Sequence, residues 1–439
     1  MYLPNHAVQA IQTLQNAGFE GFAVGGCVRD ALLQKECHDI DLTTNATPDE
    51  MKRVFSSYPV IETGLKHGTL TVLFDRQPLE ITTYRTESDY TDGRHPDEVR
   101  FTRHLNDDLS RRDFTINAMA FSPETGIVDP FGGQRDLQNR ILRCVGKAED
   151  RFTEDALRIL RLLRFASVLG FEAEPQTKRA AFACRENLRL LSKERIAAEC
   201  KGLLCGAYVK DVMCEYWEIL NVVFPFFEKM HGFDQRNYHH CYDILEHTAA
   251  VTSAIPATVP LRLAAFFHDC GKPDRFSLDE QGVGHFYGHA AHSASIAEQT
   301  MNDLKLDRKT TRRVTELVRL HDSPIDADPR IIRRKLNRYG AEFLFDLIAL
   351  QRADTLGLAP EFHKRLAHFD ELERLTKEVI DAGTVFSLRD LAVNGNDLKK
   401  RGLRGKEIGR ALQTLLNAVL DDKVKNEKAS LLEYLSANP

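Results

Sequence analysis

The spacing of apolar residues predicts a buried strand near the N-terminus, followed by a tight turn and a helix. Residues 22–24 (FAV) form a continuous apolar run that ends at Gly25 and Gly26, as is typical of a buried strand. Leu32 and Leu33 then share one side of a helical pattern. Glycines have no Cβ atom, so the backbone at this turn can lie close to a bulky group.

Two more helices are predicted around this segment. Residues 5–17 have a helical pattern that Gly18 interrupts. Thr47, Pro48 and Glu50 predict the start of another helix. Threonine can cap a helix, proline can occupy its first position, and a glutamate three residues after the cap completes a capping box.

Later segments change in character along the chain. Residues 67–74 and 79–84 are predicted to be strands joined as a hairpin. Residues 85–110 are polar and charged, which favours a loop. Residues 154–166 form a strong helical pattern, and from about residue 206 onward the chain is expected to be helical.

The composition is typical of a globular protein. The chain has 439 residues, of which 43% are hydrophobic and 28% charged, and this length predicts about two to four domains. Nine scattered cysteines favour reduced thiols and a cytoplasmic location. We find no apolar run long enough to span a bilayer and no signal-peptide pattern, and we expect no membrane partner. A net charge of −5 excludes a protein that coats nucleic acid indiscriminately, although a local basic groove is compatible with it.

The first candidate site residues lie in the helix predicted after Gly26 and in the segment that follows it. If residues 38–42 (HDIDL) form a strand, Asp39 and Asp41 point to the same face. Their like charges are most easily tolerated around a hard cation, and Mg²⁺ prefers carboxylate oxygen. Backbone N–H groups from Gly26 onward, together with Arg29, predict a phosphate site. The combination predicts chemistry on a nucleoside triphosphate.

Arg111 and Arg112 precede an apolar segment at 113–120, which is predicted to be helical. Arginine offers several coplanar donors to phosphate oxygens, so Arg112 is a candidate for phosphate contact. The alternative is an ordinary helix start capped by Asp113.

Charged residues recur at steps of three along the predicted helix 154–166, where such residues are neighbours on the helix surface. From spacing alone, this segment is an amphipathic helix with ion pairs on its surface. The residues of this series are Asp155, Arg158, Arg161 and Arg164.

The second half of the chain is rich in histidine. His268 and Asp269 are adjacent at the end of an apolar helical pattern, His247 lies one helix earlier, and Asp354 lies later in the chain. A mixture of imidazole and carboxylate ligands suits a divalent metal.

These motifs together resemble the class II tRNA nucleotidyltransferases, or CCA-adding enzymes, which belong to the same superfamily as DNA polymerase β. The matching strings lie at 25–30 with 39–41, at 111–121 (RRDFTINAMAF) and at 154–158 (ED-x-x-R). The resemblance implies an α+β fold with a small mixed β-sheet head followed by mostly α-helical parts. The implied domains are a nucleotidyltransferase head at 1–140, a neck at 141–205, an HD domain at 206–375 and a tRNA-binding tail at 376–439.

The resemblance implies template-independent, Mg²⁺-dependent addition of CCA to the 3′ end of tRNA from CTP and ATP. Cytosine and adenine both carry an amine donor beside an acceptor, a pair that a carboxylate and a guanidinium can recognise. The residues implied for these roles are Asp39 and Asp41 for catalysis and metal binding, Gly26, Arg29 and Arg112 for the triphosphate, Asp155 and Arg158 for the base, and Arg161 and Arg164 for support of the base pocket.

The histidine set resembles the HD superfamily of metal-dependent phosphohydrolases. The implied ligands are His247, His268, Asp269 and Asp354, and a second metal would use two further histidines, His289 and His321. In CCA-adding enzymes such a domain can instead be structural or hold tRNA, so both roles stay open.

Three features of the sequence each allow two interpretations. Glu80 is either a third carboxylate beside the aspartates or a charge at a strand edge. The segment 85–110 is either the family's flexible loop, implicated in adding the terminal A, or an ordinary surface loop. Glycines and basic residues at 393–410 either contact the tRNA backbone or form a plain helical hairpin.

Other activities remain as alternatives. Within the same family these are a poly(A) polymerase or an enzyme that adds only CC or only A. A different class would be an HD phosphohydrolase with an RNA-binding head. The sequence predicts no oligomeric state.

Overall fold

The computed structural model describes residues 3–37, 39–62, 64–74, 76–87, 99–237 and 241–438. The chain divides into two compact units, Met1–Pro225 and Phe226–Pro439. The first combines a β-sheet with helices and the second is mostly helical, which confirms the expected α+β class.

The first unit is built on a mixed β-sheet. Its strands are β1 (Gly21–Val24), β2 (Asp41–Thr44), β3 (Val60–Ile61), β4 (Thr69–Phe74), β5 (Gln77–Thr83), β6 (Arg85–Glu87), β7 (Val99–Phe101), β8 (Ala120–Ser122), β9 (Gly126–Val128), β10 (Ile141–Leu142) and β11 (Glu172–Ala173). The main sheet has seven strands in the order β3-β4-β5-β2-β1-β8-β9. Within it β2 and β5 are parallel, and the other neighbours are antiparallel.

The predicted buried strand and the predicted hairpin are both confirmed. All four residues of β1 are buried, and Phe22 and Val24 pack in a core with Tyr84 and Leu109. Strands β4 and β5 pair as an antiparallel hairpin. Burial alternates along β4, as expected for a strand with one face on the core.

Helices cover the sheet and continue beyond it as a bundle. They are α1 (Asn5–Asn16), α2 (Gly26–Leu32), α3 (Pro48–Val54), α4 (Leu105–Ser110), α5 (Gly133–Gln138), α6 (Ala148–Glu154), α7 (Leu157–Leu169), α8 (Pro175–Ala183), α9 (Lys193–Leu204), α10 (Val209–Glu215) and α11 (Trp217–Val223). The capping box predicted at the start of α3 is confirmed, with Pro48 at the first helical position.

Replacing Thr47 with alanine should lower the free energy of unfolding of the first unit by about 1 kcal/mol. The Thr47 hydroxyl accepts from the Glu50 backbone N–H at 3.4 Å, and the Glu50 carboxylate accepts from the Thr47 N–H at 2.7 Å. Urea midpoints of the two proteins test this. T13A, which changes a half-buried threonine within α1, is the matched control and should cause no comparable loss. An unchanged midpoint for T47A would contradict the prediction.

Two of the helix predictions are wrong. The segment 154–166 is not one helix, because α6 ends at Glu154 and α7 begins at Leu157. Asp155 between them has extended backbone angles, φ −141° and ψ 100°. The predicted helix at 113–120 is also wrong, because only a 3₁₀ turn, Thr115–Asn117, precedes β8.

The loop and the strand predicted around the acidic residues need similar corrections. Within 85–110, strands β6 and β7 pair and α4 follows, while residues 88–98 lie outside the described residues. Strand β2 begins only at Asp41, so Asp39 precedes the strand and the alternation argument does not apply to it.

The second unit is an assembly of helices with one short hairpin, β12 (Ser277–Leu278) and β13 (Gly284–His285). Its helices are α12 (Phe227–Met230), α13 (Ile244–Ala254), α14 (Val259–Phe267), α15 (His289–Asp303), α16 (Arg308–Leu320), α17 (Pro329–Tyr339), α18 (Ala341–Leu356), α19 (Leu366–Asp381), α20 (Gly395–Lys399), α21 (Lys406–Leu420) and α22 (Lys428–Ala437). Across the described ranges of both units, we find no helix with the length and apolar character needed to cross a bilayer.

Candidate active site

A cavity of about 620 Å³, here called the head cavity, lies where β1 ends and β2 begins. All nine residues that the sequence predicts for the nucleotidyltransferase site, with roles in metal, triphosphate or base binding, line it. The complete lining is Gly25, Gly26, Arg29, Asp39, Asp41, Arg111, Arg112, Asp113, Asn117, Asp155, Leu157, Arg158, Arg161, Arg164, Phe165 and Arg195.

The two aspartates lie at the start of β2, with Asp41 as its first residue and Asp39 two residues earlier. Asp41 pairs with Val24, the last residue of β1, and therefore lies beside the paired glycines. Surrounding protein atoms partly desolvate the Asp41 side chain and raise its pKa, the Arg112 guanidinium opposes this, and the Asp39 carboxylate raises the pKa further. Two neighbouring carboxylates, one of them partly desolvated, are a suitable oxygen donor set for a hard divalent cation.

A second cavity of about 650 Å³ shares Asp39 and Asp41 with the head cavity and also includes Glu80. Glu80 is opposite Asp41 in the parallel register of β2 and β5, so the two side chains lie on the same face of the sheet. The geometry therefore favours Glu80 as a neighbour of the aspartates. His6, from the first turn of α1, also lines this second cavity.

The turn after β1 requires glycine. Gly25 has φ +75°, and a Cβ atom there would lie 2.9 Å from Nη1 of Arg112. The missing side chain therefore lets the Arg112 guanidinium approach the backbone beside the aspartates.

Buried acceptors hold the arginines of the head cavity in place. Arg29 donates to Asp30 at 2.8 and 2.9 Å and to Asn117 at 2.8 Å. Arg112 contacts Asp108 at 3.2 Å, and Asp108 is completely buried. Burial by itself would raise the pKa of Asp108, but the guanidinium groups of Arg111 and Arg112 lower it. Asp108 therefore stays ionised and fixes two adjacent arginines.

Asp155 and Arg158 are near each other but have different partners. Arg158 contacts Glu154 at 2.8 Å and donates to the backbone carbonyls of Arg151 and Arg111 at 3.2 and 2.9 Å. Asp155 contacts Arg195 on α9 at 2.8 Å. The ion pairs expected along a continuous helix surface are thus partly wrong, because the break at Asp155 turns its carboxylate toward α9.

Arg161 and Arg164 flank an aromatic ring. Arg161 pairs with Asp113 at 2.7 Å, and Arg164 with Glu199 at 2.5 Å. Both guanidinium groups lie near the Phe165 ring, at 5.4 and 4.4 Å from its centroid. These contacts restrict the arginine rotamers, as cation–π and ionic contacts do.

Sequence reasoning assigned no role in the cavity to Asn117, Phe165 or Arg195. Asn117 lies in the string RRDFTINAMAF, where its amide was a usable signal. Phe165 belongs to the apolar pattern of the predicted helix 154–166, and Arg195 stands forty residues after Asp155, so no local spacing links Asp155 to Arg195.

Three family models match parts of the chain. "Poly A polymerase head domain" matches residues 21–143, "Probable RNA and SrmB- binding site of polymerase A" matches 170–230, and tRNA nucleotidyltransferase domain 2 matches 276–435.

Curated relatives are similar over almost the whole chain. The CCA-adding enzyme of Leuconostoc citreum is 33% identical over 98% of this chain and 96% of its own length. The chain belongs to the family of CCA-adding enzymes. The CCA-adding enzyme of Bacillus pumilus is 32% identical, again over 98% of this chain and 96% of its own length.

A solved CCA-adding enzyme also matches the fold. The crystal structure of the Bacillus stearothermophilus CCA-adding enzyme in complex with CTP has a TM-score of 0.74 and 29% identity, covering 100% of this chain and 98% of that one. Family membership confirms the activity expected from the sequence, CCA addition by a nucleotidyltransferase. CCA-adding enzymes carry out this transfer with a divalent metal, which the Asp39–Asp41 pair is suited to hold.

In this member of the CCA-adding family, the second unit contains a separate group of histidines and acids, here called the histidine cluster. Three of its members could share one ion, because His247, His268 and Asp354 offer ligand atoms within 4.8 Å of one another. Asp269, His289 and His321 form a second such set.

The four imidazole rings, those of His247, His268, His289 and His321, are hydrogen-bonded in the same way. Each Nδ1 donates to a backbone carbonyl, at 3.1 Å for His247, 2.7 Å for His268, 2.8 Å for His289 and 2.7 Å for His321. Since a carbonyl can only accept, the proton of each neutral ring is on Nδ1, and Nε2 can then offer its lone pair to a metal in the cluster. Metal-ligating histidines are commonly fixed in this way.

Asp269 lies at the centre of the histidine cluster and is 1% exposed. Within the described parts of the chain neither carboxylate oxygen makes a hydrogen bond of acceptable geometry, but the Lys272 ammonium lies 2.6 Å from Oδ2. The nearest imidazole nitrogens are those of His268 at 3.2 Å and His289 at 3.4 Å. Burial would lower the pKa of His268, but the carboxylates of Asp269 and Asp354 raise it to about 10. A divalent cation could replace these protons, so the donor set fits a metal.

Proposed function

We propose that this chain adds CCA to the 3′ end of tRNA without a nucleic-acid template, using CTP and ATP as substrates and Mg²⁺ as the metal. The observation that carries the proposal is the head cavity, where paired carboxylates, fixed arginines and a carboxylate–guanidinium pair meet. The similarity to an enzyme crystallised with CTP supports CTP as a substrate.

Asp39 and Asp41 would hold the metal, with Glu80 close enough on the same sheet face to assist. In the reaction, the 3′-hydroxyl oxygen of the tRNA bonds to the α-phosphorus, the bond to the bridging oxygen breaks, and pyrophosphate leaves while the hydroxyl proton is released. When bound, Mg²⁺ supplies Lewis acidity that favours loss of that proton and neutralises the triphosphate charge.

Gly26, Arg29 and Arg112 would bind the triphosphate. The two guanidinium groups are held by Asn117 and Asp108, so little side-chain entropy is lost when phosphate oxygens replace water. Arginine is suited to this role because its coplanar donors match phosphate oxygens.

Asp155 and Arg158 would recognise the base. Carboxylate accepts from the exocyclic amine of cytosine or adenine, and guanidinium donates to the adjacent ring acceptor. Uracil and guanine do not present this pair in the same place. Arg161 and Arg164 would support the pocket through their contacts with Phe165.

Different parts of the chain would have different functions. We propose catalysis by residues 1–140, base recognition by 141–205, an HD domain at 206–375 and tRNA binding by the tail at 376–439. The tail has basic residues before α21, among them Arg401 and Arg404. Its tRNA substrate and nine cysteine thiols are consistent with a cytoplasmic enzyme.

The activity is tested by incubating tRNA that lacks its 3′ CCA with CTP, with ATP, or with both. We expect a CC extension from CTP alone and complete CCA from the mixture, read on a sequencing gel. Long A tails would instead identify a poly(A) polymerase, and a stop at CC with both nucleotides would identify a partial enzyme. No extension under any condition would favour the phosphohydrolase alternative.

A second activity is proposed for the histidine cluster, that of a metal-dependent phosphohydrolase. His247, His268, Asp269 and Asp354 would hold one divalent metal, and two further histidines, His289 and His321, a second one. The supporting observation is that four imidazole Nε2 atoms lie within 3.6 Å of the buried Asp269 carboxylate. Imidazole with carboxylate is a ligand mixture typical of transition metals.

A further inference from the structure

The proposed base-reading carboxylate is held from two sides. Nη2 of Arg195 lies 2.8 Å from Oδ2 of Asp155, and the backbone N–H of Leu157 donates to Oδ1 at 3.0 Å. The two donors engage different oxygens, so together they fix rotation of the carboxylate about its Cβ–Cγ bond. Without them that torsion is broad and roughly twofold.

The direction of the carboxylate matters because it would accept from an exocyclic amine. An ionised carboxylate has about four acceptor positions, so each Asp155 oxygen keeps a free lone pair after these contacts. Arg195 lines the head cavity with Asp155, and its side chain is 24% exposed. Its Nη1 is buried and makes no hydrogen bond within the described residues, so its hydrogen-bonding capacity is not exhausted.

Asp155 depends on Arg195 more than Arg158 depends on any one partner. Arg158 is held by the Glu154 carboxylate and by two backbone carbonyls. Among the side chains that the structure describes, Arg195 is the only ionic partner of Asp155. Loss of Arg195 should therefore disturb the acceptor for the amine and leave the guanidinium donor in place.

We propose that Arg195 is a positioning residue that fixes the Asp155 carboxylate for selection of bases with an exocyclic amine. This inference rests on the proposed role of Asp155 in base recognition. It assigns to α9 a part in nucleotide specificity as well as in packing against α7.

The test measures kcat/KM for single incorporation of CTP and of UTP into tRNA that lacks its CCA end. For R195A we expect the CTP-to-UTP ratio to fall about tenfold, mainly through slower use of CTP, because one directed contact to the base is lost. R195K keeps the charge without the planar fork, so it should retain the melting temperature of the wild type with intermediate discrimination. The matched control is R185A, whose guanidinium lies 3.7 Å from Glu218 and outside the head cavity.

The D155A variant distinguishes the proposed positioning role of Arg195 from the proposed base-recognition role of Asp155. A lower CTP-to-UTP ratio in both D155A and R195A supports the proposal. If D155A lowers the ratio and R195A does not, the positioning role is wrong and the base-reading role stands. If D155A leaves the ratio unchanged, the proposed base recognition itself fails. Equal losses with CTP and UTP in R195A and R195K would show that the ion pair is only structural.

Discussion

Replacing Asp41 with asparagine is expected to slow incorporation of CTP into tRNA about a thousandfold or more. The change removes one charge and one strong oxygen donor from the pair shared by both cavities of the first unit. A metal at such a site contributes several kcal/mol of transition-state stabilisation, and each 1.36 kcal/mol corresponds to a factor of ten in rate. Single-turnover incorporation at saturating CTP measures the effect directly.

The matched control for D41N is D49N, which neutralises an exposed aspartate in the first turn of α3. D49N should incorporate CTP at the rate of the wild type. Circular dichroism of D41N should be unchanged, because Asp41 is the exposed first residue of β2 and asparagine keeps the size of its side chain. Mn²⁺ titration provides a second readout, and D41N should bind less tightly. A D41N protein that incorporates CTP at the normal rate would remove the carboxylate pair from the proposed mechanism.

Local sequence signals predicted the framework of the first unit. The apolar run before Gly25 gave the buried strand, and the alternation at 69–83 gave the hairpin. The Thr47 capping box gave the start of α3. Each of these features is determined by residues within a few positions of each other, so a single sequence contains the required information.

The break at Asp155 could not be predicted in the same way. The pattern from 154 to 166 fits a helix throughout, and no glycine or proline marks an interruption. The structure ends α6 there because the Asp155 carboxylate is held by Leu157 N–H and by Arg195, forty positions away. A tertiary contact therefore overrides local helical preference, and the same break directs the proposed base-reading group.

The contacts that hold Arg112 in place show a related limit of prediction from the sequence. The sequence predicts Arg112 as a phosphate contact, but residues 85–110 are predicted to be a loop, so the i,i+4 spacing that pairs Arg112 with the buried Asp108 is not expected from it. The closeness of Arg112 to Gly25 likewise depends on the folded turn. Sequence motifs thus identified which side chains meet, and the structure adds the acidic partners that keep their positions fixed.

The histidine cluster yields the second large expected effect. Filling one of the two proposed sites with Mn²⁺, at about one hundred times its dissociation constant, should raise the free energy of unfolding of the second unit by about 2.7 kcal/mol. For a unit of this size, that corresponds to an increase in melting temperature of about 5–10 °C. The reason is that each metal would bind two imidazole nitrogens and nearby carboxylate oxygen in the folded state only. Differential scanning calorimetry with chelator or with Mn²⁺ measures the shift.

Asp269→Asn should abolish this Mn²⁺-dependent shift, because it removes a ligand of the first proposed metal and the same carboxylate lies beside His289 and His321 of the second set. D279N is the matched control, since Asp279 lies 2.8 Å from the imidazole of His285 outside the cluster. D41N should keep the shift, which separates the histidine cluster from the carboxylate pair of the first unit. H321Q, which changes a single cluster imidazole, should bind less Mn²⁺ and serves as a second variant should D269N not fold. If the wild-type protein shows no shift with Mn²⁺, or D269N keeps it in full, the cluster is held by protonated histidines and the proposed phosphohydrolase activity loses its metal.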